Sequence, residues 1–208
     1  PAGGAYSRFF PMRDLRQIRK ELRARRRDLP PHEQRHHSVA VARQLNAWMP
    51  FLKARSVAVY YSEDGEVDLS AVIVRARASG KRVYLPVLHP FAGNRLWFSE
   101  WREGDRLRLN RFLIPEPSHR VRKPVFGLAL DMVLVPLVGF DSACSRLGMG
   151  GGFYDRSFAF RRRNKGWRRP FLVGIAHELQ RVPMLESNNW DVPLDAVITE
   201  RQLYSCIM

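Results

Sequence analysis

Apolar side chains recur along this chain in two patterns, one of helical spacing and one of short continuous runs. Residues 14–28 and 32–49 show apolar positions every three or four residues, and the Pro30-Pro31 pair ends the first of these predicted helices. A third helix is predicted over 69–79, with Gly80 as its stop. The predicted strands are 56–61, 82–88, 130–138, 171–176 and 196–199.

Strands that alternate with helices predict an α/β fold, a single domain with a mostly parallel twisted sheet and helices on both faces. Residues 89–127 are rich in Pro, Gly and Arg, and we expect them to form a small antiparallel excursion that contains residues 96–101. We expect residues 1–12 to be an N-terminal extension without fixed structure, and residues 13–208 to be one domain. Ligands of parallel sheets bind at the carboxyl ends of the strands, so residues that follow strands are the site candidates.

The most distinctive segment is rich in glycine. Four glycines fall within residues 148–152, after the apolar run 132–140 and before the amphipathic segment 153–163. This order predicts a strand, a tight turn and a helix start, which would place backbone N–H groups where the helix dipole favours anions such as phosphate. Glycine also has no side chain to hold a ligand away from the backbone.

Two common phosphate-binding patterns are absent from this segment. No Gly-Lys-Ser/Thr follows it, and a G-x-G-x-x-G pattern counted from Gly148 would place its last glycine at Phe153. On the glycines alone, a packing turn and an anion site are equally good interpretations. Arg146 supplies a cation before the glycines, and Asp155 supplies a carboxylate that could hold Mg²⁺ against a phosphate. These two flanking residues favour the anion site.

The composition is that of a folded globular protein, with 45% hydrophobic and 11% aromatic residues. No apolar run reaches the length of a membrane span, and the first twenty residues lack the apolar core of a secretory signal. We therefore expect a cytoplasmic protein with no membrane partner.

Cysteine and histidine offer little sign of a disulfide framework or a metal site. The two cysteines, Cys144 and Cys206, are far apart in sequence, so we expect neither a disulfide framework nor a zinc site. The segment HELQR at 177–181 lacks the second histidine of H-E-x-x-H. His36 and His37 are expected on a helix surface rather than around a metal.

The net charge of +15 is concentrated in two short segments. Residues 13–27 and residues 161–169 each carry a net +6, which together makes +12 of the total. A phosphate-rich small ligand, a nucleic acid and a solvated surface would each explain such charge. For much of 161–169 we favour the solvated surface.

Five segments and the basic first helix match one protein family, in the family's order. The segments are YYSEDGEVD (60–68), KRVYLPVLHP (81–90), PLVGFD (136–141), RLGMGGGFYDR (146–156) and WDVPLDAVIT (190–199). On these residues the chain resembles the 5-formyltetrahydrofolate cyclo-ligases, also called 5,10-methenyltetrahydrofolate synthetases. RLGMGGGFYDR is highly specific, whereas the other segments are strong only together.

The resemblance implies a cyclo-ligase domain over residues 13–208 that uses ATP and Mg²⁺. It implies conversion of 5-formyltetrahydrofolate, with or without a polyglutamate tail, to 5,10-methenyltetrahydrofolate, with release of ADP and phosphate. In that reaction the N5-formyl oxygen attacks the γ-phosphorus, N10 attacks the formyl carbon, and phosphate leaves. The protein's part is mostly positioning and charge stabilisation. We expect a monomer.

The resemblance also assigns residues to a site. The ATP-binding candidates are Arg16, Arg19, Lys20, Arg146, Gly148, Met149, Gly150, Gly151, Gly152, Phe153 and Tyr154, of which Arg146 and Tyr154 are the catalytic candidates. The folate-binding candidates are Tyr61, Glu66, Met149, Gly150, Gly151, Gly152, Phe153 and Trp190. The Mg²⁺ candidates are Asp155 and Asp195. Many relatives have a lysine where this chain has Leu15, so Arg16 is its candidate replacement.

Simpler interpretations stay open for the acidic residues and for the whole chain. Asp155 alone could be a helix N-terminal charge, Asp195 a turn residue, and Glu66 an exposed acid in a polar turn. The alternative functions are an RNA-binding module on the same fold, which the +15 charge supports, and a sugar-phosphate or CoA-handling enzyme. Nucleic acid is the weaker alternative as a partner.

Overall fold

The apolar runs of the sequence assemble into one seven-stranded sheet. The structure, a computed structural model, describes residues 14–91, 93–118, 122–163 and 169–206, so the expected N-terminal extension at 1–12 lies outside the described residues. In chain order the strands are β1 (Ser56–Ala58), β2 (Arg82–Leu88), β3 (Leu96–Glu100), β4 (Leu107–Leu109), β5 (Pro115–Pro117), β6 (Met132–Pro136), β7 (Gly139–Phe140), β8 (Arg146–Leu147), β9 (Phe171–Ile175), β10 (Ala196–Ile198) and β11 (Leu203–Ser205).

The strand order in the sheet is β11-β10-β9-β6-β1-β2-β3. The pairs from β10 through β9, β6 and β1 to β2 are parallel, and only the edge strands β11 and β3 run antiparallel to their neighbours. The predicted mostly parallel α/β sheet is therefore confirmed. The chain passes from β1 to β2 on one side of the sheet and from β6 to β9 on the other. The direction of the strand order therefore reverses between β1 and β6, which creates a crevice at the carboxyl ends of these two strands.

Helices cover both faces of this sheet, as predicted. They are α1 (Leu15–Arg27), α2 (Pro31–Ala47), α3 (Met49–Lys53), α4 (Ser70–Ala78), α5 (Phe153–Phe158) and α6 (Phe160–Arg163). Alternate residues of β6 enter two separate cores: Leu134 packs with α2, α3 and α4, whereas Val135 packs with Phe158 of α5. Among the described residues, no helix combines the length and the apolarity that crossing a membrane requires.

The helix boundaries follow from local chemistry. The side chain of Asp14 accepts a hydrogen bond from the backbone N–H of Arg16 at 2.9 Å and caps α1. Pro30 and Pro31 then start α2, where a missing N–H has no cost. Gly80 follows α4 with φ of 73°, the left-handed conformation that glycine favours after a helix.

The strands differ from the prediction near β1 and β2. β1 ends at Ala58 rather than at residue 61, although the N–H of Val59 still donates to the carbonyl of Tyr84 at 2.9 Å. Residues 96–101 were expected in a separate excursion, but β3 pairs with β2 and extends the main sheet. Of the described strands within residues 89–127, β4 and β5 form a separate two-stranded unit.

The connection from β6 to the glycine-rich segment is also more elaborate than predicted. The β7–β8 hairpin stands between them, so the glycines do not directly follow a strand of the main sheet. The helix predicted over 153–163 is divided at Ala159 into α5 and α6. β11 was not predicted, because three residues at a sheet edge carry no readable periodicity.

The two cysteines are joined in a disulfide, which the sequence analysis did not anticipate. Cys144 lies in the turn between β7 and β8, and Cys206 directly follows β11. The fold brings their Cα atoms to 6.1 Å although 62 positions separate them in sequence. Sequence distance was therefore a poor guide to their pairing.

Candidate active site

A cavity of about 1010 Å³ opens at the carboxyl ends of the parallel strands. Tyr60 after β1, Leu88 at the end of β2 and Pro136 at the end of β6 form its floor. Its walls come from α1, the β4–β5 hairpin, α5, residues 63–66 (the acidic turn) and residues 148–152 (the glycine loop). Segments that are distant in sequence therefore meet where the α/β architecture predicts a ligand.

The glycine loop presents open backbone to this cavity. A Cβ atom added at Gly148 or Gly150 would meet no heavy atom within 4 Å, so both faces are accessible to a ligand. Gly150 has φ of 94° and Gly152 has φ of 62°, conformations that side chains disfavour. The side-chain amide of Asn94 donates to the carbonyl of Gly151 at 3.0 Å and helps to hold the loop in shape.

The predicted cations of α1 lie beside the glycine loop. Nε of Arg19 donates to the carbonyl of Gly148 at 2.8 Å, a contact between residues 129 positions apart. Arg16, Arg19 and Lys20 also border a smaller hollow of about 440 Å³ that reaches Gly150. The fold thus brings these three cations and the glycines together.

The acidic turn is held by arginines that the sequence analysis did not single out. Arg26 is 1% exposed, and it donates through Nε to the carbonyl of Asp64 and through Nη2 to its carboxylate, both at 2.8 Å. Arg23 reaches the same carboxylate at 2.7 Å. Burial alone would raise the pKa of Asp64, but its bonds to Arg23 and Arg26 outweigh this and lower it. The spacing of Arg19, Arg23 and Arg26 along one helix face was a readable signal for these residues.

Glu66, the predicted folate contact, lies in the cavity wall. Its carboxylate accepts a hydrogen bond from the N–H of Glu63 at 3.3 Å, and Nη1 of Arg26 lies 3.6 Å away. Burial raises the pKa of Glu66 to about 7, against the opposing attraction of Arg26. Glu66 is therefore a largely buried carboxylate in the cavity wall, and not an exposed acid in a polar turn.

Tyr154, a catalytic candidate, also lines the cavity. Burial and the nearby carboxylate of Glu66 raise the pKa of its hydroxyl well above the ordinary value. Its ring stacks on Phe158 with a centroid separation of 6.4 Å. The hydroxyl is consequently protonated at neutral pH and can act as a hydrogen-bond donor to an anionic ligand.

Arg146 and Asp155 form an ion pair on the cavity wall. Arg146 also donates to the carbonyl of Val192, and the carboxylate of Asp155 accepts from the N–H of Val192 at 3.0 Å. A single carboxylate that faces a cavity suits Mg²⁺, which commonly takes one or two carboxylates together with phosphate oxygens. Asp155 therefore fits the predicted metal role.

Asp195 lies apart from Asp155 and does not line the cavity. Both of its oxygens accept from the guanidinium of Arg161, at 2.8 and 2.7 Å, and one accepts from the N–H of Leu172 at 2.7 Å. This arrangement joins α6 to the start of β9. The structure thus does not bring together the two predicted Mg²⁺ ligands, because the carboxylate of Asp195 is occupied by structural contacts.

Apolar and aromatic side chains form the rim of the cavity. The predicted contacts Tyr61, Met149 and Trp190 are 43%, 60% and 63% exposed and could cover a flat ligand. Phe153 packs edge-to-face on Phe112 with a centroid separation of 5.7 Å. Phe112 was not predicted, because residues 89–127 show no clear periodicity.

The second basic segment is only partly a solvated surface. Arg161 is bound to Asp195, and Arg162 lines the cavity. Arg169 is largely exposed and pairs with Asp131 at 2.8 Å. Residues 164–168 lie outside the described part of the chain. The expected solvated surface therefore does not extend to Arg161.

One histidine expected on the surface faces inward. His36 is exposed as predicted, but Nδ1 of His37 lies 2.9 Å from Nδ1 of the fully buried His177. The side chain of Glu200 approaches the same imidazole of His37. These three residues lie outside the lining of the cavity.

Comparison with known proteins identifies relatives over nearly the whole chain. A sequence model of the 5-formyltetrahydrofolate cyclo-ligase family matches residues 11–200. The 5-formyltetrahydrofolate cyclo-ligase of Escherichia coli (strain K12) is 41% identical over 185 residues, covering 88% of this chain and 98% of that protein. The cyclo-ligase of Haemophilus influenzae is 37% identical over 180 residues, covering 86% and 93%.

Solved structures share the fold. The NMR structure of the 5,10-methenyltetrahydrofolate synthetase of Aquifex aeolicus superposes with a TM-score of 0.77 at 30% identity, covering 92% of each chain. The synthetase from Mycoplasma pneumoniae gives a TM-score of 0.70 at 22% identity, covering 90% of this chain and 99% of that one. At that lower identity the likeness concerns the fold alone.

Proposed function

Because this chain belongs to the 5-formyltetrahydrofolate cyclo-ligase family, and is therefore a ligase, we propose that it converts 5-formyltetrahydrofolate to 5,10-methenyltetrahydrofolate with ATP. The observation that carries the proposal is a single cavity in which the glycine loop faces Glu66 and an aromatic rim. Its volume of about 1010 Å³ is at the upper end of the range of ligand pockets, roughly 300–1,000 Å³, as two substrates would need.

The glycine loop and α1 are the proposed binding region for the ATP phosphates. The open faces at Gly148 and Gly150 allow backbone N–H groups to approach phosphate oxygens. Arg16, Arg19 and Lys20 add positive charge on the opposite side of the same hollow. The placement of Arg16 beside this hollow supports it as the replacement for the lysine found in many relatives.

Asp155 is the residue we propose as the Mg²⁺ ligand. Asp155 would hold the ion, and Mg²⁺ would supply positive charge that offsets the charge of the phosphates. Asp155 faces the cavity and is positioned by Arg146 and by the N–H of Val192. The metal role of Asp195 stays a prediction that its contacts with Arg161 and Leu172 do not favour.

The other side of the cavity is the proposed folate site. A pterin carries two neighbouring donors, N3–H and the 2-amino group, which the carboxylate of Glu66 can accept together. Tyr61, Phe153 and Trp190 offer flat apolar surfaces nearby. This arrangement would direct the formyl group of the folate toward the glycine loop, and a polyglutamate tail would extend from the open side of the cavity.

The proposed reaction forms and breaks bonds in two stages. The formyl oxygen bonds to the γ-phosphorus of ATP while the bond to ADP breaks, and N10 then attacks the activated formyl carbon. Phosphate leaves with the formyl oxygen, and N10 loses its proton. Arg146 would stabilise the charge on the transferred phosphoryl group, and protonated Tyr154 would donate a hydrogen bond beside it.

The positions of the basic residues support a small anionic ligand over nucleic acid. Arg23 and Arg26 are committed to Asp64, and Arg19 is bonded to the glycine loop. These arginines line a concave cavity rather than a flat surface on which a nucleic-acid backbone could lie.

A monomeric, cytoplasmic enzyme remains part of the proposal.

The test is direct, because the methenyl product absorbs in the near ultraviolet. Incubation with 5-formyltetrahydrofolate and Mg-ATP should produce this absorbance, and omission of either ATP or Mg²⁺ should abolish it. Arg146→Ala should lower kcat by about 100-fold or more, by analogy with the loss of a single donor to transition-state charge. Asp155→Asn should raise the Mg²⁺ concentration that half-maximal activity requires.

Arg122→Ala is the matched control. It also removes an arginine–aspartate ion pair, here with Asp105, but neither residue lines the cavity. Its activity should stay close to that of the wild type. Absence of the methenyl product with the wild type, or equal activity of the Arg146 and Arg122 variants, would contradict the proposal.

A further inference from the structure

Three side chains with metal-binding atoms converge where α2 meets the ends of β9 and β10. His37 lies on α2, His177 is the second residue after β9, and Glu200 is the second residue after β10. The two Nδ1 atoms are 2.9 Å apart, and Nε2 of His37 is 3.7 Å from Oε1 of Glu200. Within the described residues this is the one set of three such side chains whose ligand atoms all lie within 4.8 Å of one another.

The contacts of His177 leave one ring nitrogen available as a ligand. Its Nε2 lies 3.0 Å from the carbonyl oxygen of Gly65, and a carbonyl can only accept, so Nε2 carries the proton. Nδ1 of the neutral ring then presents a lone pair toward His37. A backbone carbonyl that orients the far nitrogen is the usual arrangement behind metal-bound histidines.

Glu200 is similarly oriented toward the cluster. Its Oε2 accepts a hydrogen bond from the N–H of Glu178 at 2.9 Å, which leaves Oε1 available. Oε1 lies 3.7 Å from Nε2 of His37, a different ring nitrogen from the Nδ1 that faces His177, so the carboxylate would turn toward Nδ1 to reach an ion held there. The side chains of His37 and Glu200 are 14% and 11% exposed, so an ion can reach the cluster from solvent. The neighbouring carboxylate of Glu178 receives bonds from Thr199 and Tyr204, and it therefore belongs to the surrounding support rather than to the ligand set.

We propose that His37, His177 and Glu200 form a binding site for a divalent transition-metal ion, with Zn²⁺ as the representative ion. Two imidazole nitrogens and one carboxylate are a common zinc ligand set, with water as the fourth ligand. With zinc–nitrogen distances of about 2.0–2.1 Å, tetrahedral coordination places two ligand nitrogens about 3.3 Å apart. The two Nδ1 atoms would therefore have to separate by a few tenths of an ångström from their present 2.9 Å. Mg²⁺ prefers oxygen ligands, which distinguishes this site from the one proposed at Asp155.

The proposed ion would also act on the acidic turn. Its link to the turn is the bond from Nε2 of His177 to the carbonyl of Gly65. A metal on Nδ1 polarises the ring and strengthens the donation from Nε2, so the ion would hold the backbone between Asp64 and Glu66 more firmly. Hydrogen exchange at the amides of residues 63–66 should slow when the ion binds.

The test uses the untagged, chelator-treated full chain, without folate or ATP. Titration calorimetry with Zn²⁺ should give one ion per chain, and binding should raise the melting temperature. Co²⁺ should give the visible absorption of a low-symmetry site with nitrogen ligands. His37→Ala should weaken Zn²⁺ binding by about tenfold or more, and Glu200→Gln should weaken it by less because the side chain keeps its shape.

The neighbouring histidine is the matched control. His36 is exposed and outside the cluster, so His36→Ala should bind Zn²⁺ like the wild type. Melting curves of each metal-free variant establish that it is folded, which makes the test independent of the buried His177. Equal Zn²⁺ affinity of the His36 and His37 variants, or no stoichiometric binding by the wild type, would overturn the proposal. In that case the imidazoles share only a hydrogen bond.

Discussion

The acidic turn and the glycine loop face the same cavity, but the turn is closed by contacts within the protein and the loop keeps two open backbone faces. The acidic turn is closed by its own contacts: Arg23 and Arg26 bind Asp64, and a Cβ atom at Gly65 would lie 2.8 Å from the carbonyl oxygen of Arg26. In the glycine loop, the faces of Gly148 and Gly150 meet no other atom within 4 Å. One wall is completed by the protein, whereas the other leaves room for a ligand.

This difference separates stability from binding at one site. Buried ion pairs in the acidic turn were made during folding, so changes there should act on the free energy of unfolding. The open faces of Gly148 and Gly150 meet no other part of the protein, so changes there should act on substrate binding.

The largest effect is expected at Arg26. Arg26→Ala leaves the carboxylate of Asp64 without its buried partner, and the free energy of unfolding should fall by about 3 kcal/mol. Arg27 reaches the same carboxylate at 3.3 Å but is half exposed. Arg27→Ala should therefore change stability by no more than about 0.5 kcal/mol. Urea denaturation of the two variants measures this, and equal losses would refute the role given to Arg26.

A pair of glycine substitutions should separate an effect on stability from an effect on nucleotide binding. Gly65→Ala places a Cβ against the backbone of Arg26 at φ of 74°, and it should destabilise the fold by about 2 kcal/mol. Gly148→Ala meets no neighbour and should stay within about 0.5 kcal/mol of the wild type. The same Cβ would obstruct the phosphates, so KM for ATP should rise by about tenfold, a loss of 1.4 kcal/mol.

Thermal melting and steady-state kinetics on both variants are the measurements. A stable Gly148→Ala protein with unchanged KM for ATP would show that the open glycine face does not receive the nucleotide. A Gly65→Ala protein as stable as the wild type would show that the acidic turn is not closed as described.

The ionisation of Glu66 should make the free energy of unfolding depend on pH. The pKa of Glu66 is raised by burial to about 7, above its ordinary 4.5, so the folded protein keeps this proton after the unfolded chain has lost it. Its contribution to stability is therefore full below pH 4.5 and is lost as the pH rises through about 7. Denaturation curves between pH 4.5 and 8 should show this loss in the wild type and not in Glu66→Gln.

Folate binding should depend on pH in the opposite sense. The pterin donors need the ionised carboxylate, so KM for the folate should rise as the pH falls below 7, by up to about tenfold per pH unit. Glu66→Gln should have a higher KM that no longer changes over this range. KM for ATP in the wild type is the internal reference, and a parallel rise in that constant would assign the effect to another group.

The smallest effect is expected at the rim. Phe112→Ala removes the edge-to-face contact with Phe153, an interaction worth about 0.5–1.5 kcal/mol, and KM for the folate should rise roughly threefold. Phe126 packs edge-to-face on Trp97 away from the cavity lining. Phe126→Ala should therefore leave KM unchanged. Identical KM values for the two variants would remove Phe112 from the folate site.

Much of the fold was predictable because buried apolar residues repeat at the short spacings of helices and strands. The strand predicted over 82–88 is β2, and the helices predicted over 14–28 and 69–79 are α1 and α4 to within a residue at each end. Their apolar residues face a core whichever strand lies beside them. The edge strand β11 and the β7–β8 hairpin escaped prediction, because two or three residues establish no period.

The sequence allowed residues to be assigned to the candidate site, but it did not show which of them meet in space. Residues near the glycine loop could be assigned because turn geometry and helix starts leave marks within a few positions. Asp155 and Asp195 looked equivalent in sequence, yet one lines the cavity and the other is bound to Arg161. Nothing near Asp195 in the chain indicates that partner, which is 34 positions away.

Local pattern alone was therefore enough for the α/β class, the parallel sheet and the glycine-rich turn, whereas the cations of α1 were assigned through the resemblance to the cyclo-ligase family. The tertiary structure alone decided that Arg26 closes the acidic turn, that Cys144 pairs with Cys206, and that His37 meets His177 across 140 positions. The physical reason is the distance in sequence over which each kind of interaction acts. Periodicity and turn chemistry act between residues a few positions apart, whereas ion pairs, disulfides and ligand clusters depend on the order in which the strands join the sheet.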